Sequence, residues 1–321
     1  MTEEQAARIA AAGSAGKRPV TQEDIWLMKS VGNPAASPDG ARLAVSVLSP
    51  AYDPAEEIWE LWLLAADGKT PPRRLVRGSA PIGAPAWSPE GTRIAFATRR
   101  EGDVAAQVYI LPVDGGEAVR VTHWSGGARY PKWRPDGRAI LFEADCAADG
   151  DPTPPKAGPR IFDAMPVRYW NKWLDERRPH PLVIELAEGA EPRDLIKDTA
   201  FARSAGFRGT FRSTERDTIE TLAAQWAPDG KSVVFAAHLD ADTMMHTTTQ
   251  TGLFQVQASG GEPKRIGDPN ESFAEPQFAK TGDALYVLRR RRATDSTLTQ
   301  LARFSWPNPG KAASSRRPGT G

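Results

Sequence analysis

Short runs of aliphatic and aromatic residues recur along the chain, and the same kind of turn introduces each group of them. The turn Ser88-Pro89-Glu90-Gly91 leads into the run 93–98, and a second run, 107–111, ends at Asp114-Gly115-Gly116. Proline pre-sets φ at the first central turn position, and glycine accepts the positive φ that a tight hairpin needs. The stretch 85–122 therefore predicts four short antiparallel strands in about forty residues.

The same turn recurs through the chain and defines a repeat. It lies at 37–40, 88–91, 134–137, 227–230 and, in degenerate form, 279–282. The interval between Asp136 and Asp229, 93 residues, is about twice the others. A second kind of turn alternates one for one with the first four openings, so the pattern favours insertions over a hidden repeat. We expect one insert at 146–180, within the third repeat.

Four antiparallel strands in a unit of this length are typical of a β-propeller blade. The pattern predicts an all-β protein, a β-propeller of four-stranded antiparallel blades, with four complete blades and most of a fifth. The last unit has a third strand at 298–304 but no fourth, because residues 311–321 contain almost no strand-forming side chains. The expected organisation is a flexible leader at 1–20, blades at 21–310 and a disordered tail at 311–321.

Composition narrows the class of protein. The 28 glycines and 28 prolines among 321 residues suit a chain with many turns, and a net charge of +1 gives no overall field to recruit nucleic acid or an acidic membrane. Cys146 is the only cysteine, which excludes an internal disulfide and a cysteine-rich zinc site. We therefore expect neither nucleic acid nor membrane as a partner.

Two features of the sequence bear on localisation. Apolar runs such as 61–66 are far shorter than the roughly 20 residues that span a bilayer. The first 20 residues begin with acidic side chains and lack the apolar stretch of a secretory signal. The expected location is cytoplasmic.

The motifs resemble those of a known family. The Trp-Ser-Pro-Asp/Glu-Gly turns with Ile-Ala-Phe strands resemble the TolB-type propeller repeat. The segment 165–180, followed directly by a strand, is similar to the propeller of acylaminoacyl peptidase-like members of the prolyl oligopeptidase family, as are 23–26 and 303–307. The resemblance covers about residues 20–310, nearly the whole chain.

This resemblance implies an N-terminal propeller, usually seven-bladed, beside a C-terminal α/β-hydrolase domain with a Ser-Asp-His triad. The sequence contains no Gly-x-Ser-x-Gly, and its nearest string, 123–127, lacks the leading glycine. No catalytic residue is assigned. The chain is then expected to be an incomplete seven-bladed propeller that is inactive alone and gates the access of short peptides to a hydrolase domain that it lacks.

A second hypothesis is a stand-alone TolB-like propeller that binds a protein or peptide partner. An incomplete ring would leave strand edges open, and such edges pair with other chains. Under the first hypothesis, the partner of the chain is a peptide substrate, which binds at the hydrolase domain that the chain lacks. The second hypothesis predicts a closed ring, whereas an unclosed ring would offer its open edges to a protein partner.

The candidate substrate-contact residues are Arg168, Trp170 and Trp173, all in the insert. In one interpretation, the insert shapes a peptide-access surface and Arg168 holds a substrate carboxylate, which a guanidinium binds bidentately. In the other, which packing statistics favour, the two tryptophans cover a blade edge and Arg168 pairs with a nearby carboxylate.

No metal or cofactor site is predicted. The four histidines, His123, His180, His238 and His246, include no pair at helical ligand spacing. The run 289–292 consists of four arginines, but no aromatic residues interleave with it, so a solvated strand end is favoured over a nucleic-acid site.

Overall fold

The computed structural model describes residues 19–151, 153, 167–170, 172–213, 218–244, 246–291 and 299–314. The chain divides into two compact units, Met1–Val119 and Arg120–Gly321, and antiparallel β-sheet predominates in each. Among the helices in these described ranges, none has the length and apolar character to cross a membrane.

The first unit contains a short helix and two sheets. Helix α1 (Gln22–Trp26) begins at a capping box formed by Thr21 and Asp24, as the sequence predicts. The strands of the first sheet are β1 (Ser30–Val31), β2 (Ala35–Ala36), β3 (Arg42–Ser49), β4 (Ile58–Ala65) and β5 (Arg73–Gly78), with a 3-10 turn at Pro54–Glu56. Those of the second are β6 (Ala86–Trp87), β7 (Arg93–Thr98), β8 (Gln107–Pro112) and β9 (Val119–Arg120), and the boundary between the units falls within β9. Strands that are neighbours in the chain pair within each sheet, except that β1 and β2 both pair with β3.

The second unit contains three four-stranded sheets, two separate hairpins and one short helix. The third sheet is formed by β10 (Arg129–Trp133), β11 (Ala139–Cys146), β14 (Arg178–Glu185) and β15 (Arg193–Asp194). The fourth is formed by β18 (Gln225–Trp226), β19 (Ser232–His238), β20 (Thr251–Gln257) and β21 (Lys264–Ile266), and the fifth by β22 (Glu271–Phe278), β23 (Ala284–Arg291), β24 (Gln300–Ser305) and β25 (Ala313–Ser314). The hairpins are β12 (Arg168–Tyr169) with β13 (Lys172–Trp173), and β16 (Thr210–Ser213) with β17 (Thr218–Thr221). Helix α2 is Ala200–Arg203, and a 3-10 turn lies at Ala241–Thr243.

In each of the five sheets, one of the predicted turns joins two antiparallel strands near the start of the sheet. In the first, Gly40 has a φ of 73° and its N–H donates to the Ser37 carbonyl at 2.9 Å, while the Asp39 carboxylate accepts from the Ala41 N–H at 3.0 Å. The equivalent glycines of the other sheets have φ between 66° and 77°. Side chains other than glycine rarely adopt this φ, so the glycine at each turn lets the two strands meet in register.

The long interval in the repeat holds hairpins rather than a further four-stranded sheet, within the part of the chain that the structure describes. Strand β11 pairs along its whole length with β14, with Cys146 opposite Arg178. Cys146 and residues 178–180 therefore belong to paired strands, and the insertion is narrower than 146–180. Hairpin β12–β13 comes from this insertion, and β16–β17 precedes the fourth sheet.

The fifth sheet differs from the sequence prediction of three strands. Strand β25 pairs with β24, with Ala313 opposite Arg303, so the expectation that this sheet lacks a fourth strand is wrong. Two residues are too few to show a periodic pattern, and their pairing depends on the backbone groups that β24 offers. Residues 315–321 of the predicted tail and 1–18 of the predicted leader lie outside the described residues.

One apolar core joins the third and fourth sheets. It includes Leu141 and Val183 of the third sheet and Phe235 and Phe254 of the fourth. Phe201 of α2 lies among them, with its ring centroid 4.8 Å from that of Phe254. Because side chains from both sheets pack in this core, their strands are held rigidly. The hairpins inserted between these strands therefore begin and end at fixed positions.

Candidate functional site

The three predicted contact residues lie on one small hairpin. Arg168 pairs with Trp173 across β12 and β13, and Tyr169 pairs with Lys172. Trp170 follows β12 directly, at the turn, with a φ of 50°. This left-handed conformation costs a residue with a Cβ about 1–2 kcal/mol, and it is rarest for bulky side chains.

The two tryptophans are exposed. The exposed fraction is 75% for Trp170 and 55% for Trp173, so more than half of each side chain faces solvent, and their contact with a peptide stays a prediction. The Arg168 guanidinium lies 5.6 Å from the ring centroid of Trp173, as in a cation–π pair. Arg168 is itself exposed and forms no ion pair within the described ranges. The hairpin thus presents two tryptophan side chains and one arginine side chain to solvent.

The other residues of the hairpin hold it in place. The Tyr169 ring stacks on the Phe211 ring of β16, with centroids 4.1 Å apart and planes at 9°. Leu174, which follows β13, is 1% exposed, and its N–H donates to the Val167 carbonyl at 3.1 Å. Alternate residues of the hairpin therefore face protein and solvent, as expected for a paired strand.

Charged groups at the base of the hairpin add a second attachment. The Lys172 ammonium lies 3.9 Å from an Asp145 carboxylate oxygen and 4.0 Å from one of Glu220. Burial raises the pKa of Asp145, but the positive charges of Arg129 and Lys172 outweigh it and hold that pKa below its usual value. Asp145 is therefore ionised at neutral pH and attracts Lys172.

A buried ion pair supports the neighbouring hairpin, β16–β17. Arg208 donates to the Glu220 carboxylate at 3.3 Å and to the Asp175 carbonyl at 2.8 Å, and Glu220 also accepts the Gly209 N–H at 2.8 Å. The side chains of Arg208 and Glu220 are 7% and 2% exposed. These bonds connect β17 to the segment that follows β13, so the two hairpins have a shared, rigid base.

A second group of side chains is brought together without any sequence prediction. Cys146, His180 and Asp194 come from β11, β14 and β15, and their potential ligand atoms lie within 4.8 Å of one another. The search for histidine pairs at helical spacing missed them, because the three residues are 34 and 14 positions apart and meet only through strand pairing. The available signal was a cysteine and a histidine near the ends of two strands with apolar centres.

Comparison with known proteins identifies the fold and its relatives. Residues 22–149 match the PD40 model, described as a TolB beta propeller domain. Dipeptidyl-peptidase 5 of Porphyromonas endodontalis is 26% identical over 291 residues, which are 88% of this chain and 40% of that protein. The uncharacterized peptidase YuxL of Bacillus subtilis is 28% identical over 231 residues, 70% of this chain and 32% of that protein. The chain thus spans only about a third to two fifths of the length of these relatives.

Solved structures agree on the fold. The acylaminoacyl peptidase of Pyrococcus horikoshii superimposes with a TM-score of 0.59 at 14% identity, over 89% of this chain and 39% of that one. A TolB-like protein from Agrobacterium tumefaciens gives a TM-score of 0.51 at 15% identity, over 87% of this chain and 78% of that one. The predicted all-β propeller of four-stranded antiparallel sheets is confirmed.

Proposed function

We propose that this chain, a β-propeller similar to peptidases such as dipeptidyl-peptidase 5, is the non-catalytic propeller of a serine peptidase of the prolyl oligopeptidase type. In this role it restricts access to a hydrolase domain, so that short unfolded peptides enter and folded proteins do not. Homology to two peptidases over most of this chain supports the proposal.

The exposed patch of Arg168, Trp170 and Trp173 is the observation that carries a peptide-contact role. Indole faces bind apolar peptide side chains, and a guanidinium takes a carboxylate bidentately. Trp170 keeps a left-handed backbone at an exposed turn, where asparagine or glycine would be less strained. Strain of this kind persists where surrounding structure holds it and is concentrated at binding sites.

Fluorescence anisotropy tests the contact with a labelled pentapeptide, Ala-Ala-Phe-Ala-Ala, that carries either a free C-terminal carboxylate or a C-terminal amide. We expect the acid to bind at least about tenfold more tightly than the amide, the equivalent of about 1.4 kcal/mol for the charge-assisted pair. Arg168→Lys keeps the positive charge but replaces the planar guanidinium, which can form two parallel hydrogen bonds to a carboxylate, so it should remove most of the preference for the acid. Arg138→Lys, at an exposed turn of the same unit, leaves it unchanged. Equal binding of acid and amide by the unaltered chain would contradict this role for Arg168.

Gating is tested on the peptidase that contains this propeller, with a series of substrates of increasing size. We expect turnover of short peptides, little turnover of folded proteins, and no serine-directed hydrolysis by the purified chain of 321 residues. Hydrolysis by this chain, free of contaminating protease and blocked by a serine-directed inhibitor, would overturn the non-catalytic assignment.

The alternative is a stand-alone TolB-like propeller that binds a protein or peptide partner. The match to the TolB propeller model favours it equally. It predicts a monomer that melts in one sharp transition whose midpoint does not depend on concentration. Association or aggregation of the purified chain would instead favour open strand edges and the first proposal.

A further inference from the structure

The cluster of Cys146, His180 and Asp194 lies on one face of the third sheet. His180 stands opposite Ala144, two residues before Cys146 on β11. Asp194 stands opposite Leu182, two residues after His180 on β14. Since alternate residues of a strand point to the same face, the three side chains converge across three neighbouring strands.

All three side chains are withdrawn from water. Cys146 and His180 are fully buried, and the Asp194 side chain is 4% exposed. His180 Nδ1 lies 2.6 Å from Asp194 Oδ2, and Asp194 Oδ1 accepts the Ile196 N–H at 3.0 Å. His180 Nε2 has no hydrogen-bond partner in the described part of the protein. Within that part, hydrogen bonding therefore holds the ring through Nδ1 alone, and Nε2 can take the ring proton when Nδ1 binds another group.

We propose that Cys146, His180 and Asp194 form a binding site for a divalent transition-metal ion, and that Zn²⁺ fits it best. A thiolate, an imidazole and a carboxylate are the side-chain groups that Zn²⁺ takes in proteins. The thiolate and carboxylate together neutralise a dication, so the occupied site buries no net charge. This inference goes beyond the proposed peptide-binding role and does not depend on it.

The distances require only a small adjustment. Zinc bonds of about 2.0–2.3 Å in tetrahedral geometry place the ligand atoms about 3.3–3.7 Å apart. The three candidate atoms now lie within 4.8 Å, and the His180–Asp194 pair is at 2.6 Å. Movements of about 1 Å therefore suffice. His180 Nδ1 leaves its hydrogen bond with Asp194 Oδ2 for the metal and the ring proton moves to Nε2, while the thiol proton passes to solvent and water is the fourth ligand.

A backbone loop closes over the cluster. Gly150 has a φ of 83°, and a Cβ at this position would lie 3.3 Å from Asp194 Oδ2. The Gly150 N–H donates to the Ala147 carbonyl at 2.8 Å, which folds the loop back on the end of β11. A metal here would tie β11, β14 and β15 together directly below the start of the insertion.

The same residues do not form a nucleophilic site. Burial, together with the nearby Asp194 carboxylate, raises the pKa of the Cys146 thiol well above its ordinary value, so without metal it is an unreactive thiol. A peptide also has no access to a side chain that is fully buried.

Cobalt(II) spectroscopy of the full chain tests the site, because Cys146 is its only cysteine. Co²⁺ is added to the metal-free chain in a non-thiol reductant and equilibrated until the spectrum is constant, since a buried site fills through local opening. We expect a thiolate-to-cobalt charge-transfer band that saturates at one ion per chain and disappears when Zn²⁺ is added. Zn²⁺ alone should raise Tm by at least about 3 °C.

Three variants decide the assignment. Cys146→Ala abolishes the charge-transfer band. His180→Gln keeps the thiol but weakens Co²⁺ binding at least about tenfold, which distinguishes this site from a lone thiol. His123→Gln, at an exposed histidine of the same unit, changes neither the band nor the Tm shift. Circular dichroism verifies that each variant is folded.

Two results would overturn the proposal: a Co²⁺ spectrum without charge transfer in the folded unaltered chain, or an unaltered band in folded His180→Gln. If Cys146→Ala does not fold, the His180→Gln comparison and the zinc-dependent Tm of the unaltered chain still decide. None of these measurements involves a peptide, so their failure is separate from failure of the proposed function.

Discussion

Glu143 is a buried carboxylate whose removal tests how the third and fourth sheets are joined. It is 1% exposed, in the middle of β11. Its Oε2 accepts from the Thr221 hydroxyl at 2.9 Å and the Leu222 N–H at 3.0 Å, and its Oε1 accepts from the Ala224 N–H at 3.1 Å. One side chain thus satisfies three donors of the segment that leads from β17 into β18.

Glu143→Gln keeps the shape but replaces one acceptor by a donor. A hydrogen bond to a charged group contributes about 1.5–3 kcal/mol and a neutral one about 0.5–1.5 kcal/mol, so the two retained bonds lose about 1 kcal/mol each. The third donor then faces an amide NH₂ and is left unsatisfied, at a further cost of about 1–3 kcal/mol. Lys132, whose pKa burial already lowers, also loses a compensating charge. The expected loss of stability is about 3–5 kcal/mol.

Urea unfolding monitored by tryptophan fluorescence measures this loss, and hydrogen exchange locates it. We expect the amides of Leu222 and Ala224 to exchange much faster in Glu143→Gln than in the unaltered chain, because both lose a charged acceptor. Glu188→Gln, an exposed substitution beyond β14, is the matched control and should change stability by less than about 0.5 kcal/mol. A loss below about 1 kcal/mol in Glu143→Gln, with unchanged exchange at these amides, would refute the reasoning.

Three further substitutions, one of them with a matched control, test backbone strain, peptide binding and packing. Trp170→Asn should raise stability by about 1 kcal/mol in urea unfolding, because asparagine tolerates the φ of 50°. The same variant should bind the pentapeptide at least about tenfold more weakly. A loss of both stability and peptide binding would mean that the indole packs against the protein. Ala223→Gly, at another φ of 50°, should raise stability by about 0.5 kcal/mol after the entropy of glycine is counted, and a decrease in urea midpoint would contradict this. Gly206→Ala should lower stability by more than about 2 kcal/mol, because the new Cβ would lie 2.2 Å from the Leu239 carbonyl oxygen. The control Gly78→Ala places its Cβ with no atom within 4 Å and should be nearly neutral. Equal melting temperatures for the two variants would count against the steric argument.

The features that local pattern could predict are those set by neighbours in the chain. The turn glycines require a positive φ whatever surrounds them, so Gly40 and its equivalents were identifiable from spacing alone. The exposure of Trp170 and Trp173 was not identifiable in this way, because it depends on Tyr169 taking the buried face of the hairpin against Phe211. Sequence statistics for tryptophan favoured the opposite interpretation.

The sequence by itself determined that this is an all-β propeller of four-stranded units with an insertion in the third, because turn chemistry and two-residue periodicity act within a few residues. Only the tertiary structure decided which polar side chains are buried together. Glu143 meets donors about 80 positions away, and Cys146, His180 and Asp194 meet through strand register. The physical reason is that burial of a polar group is favourable only when its partners are in place, and those partners come from strands that pairing, not sequence distance, makes neighbours.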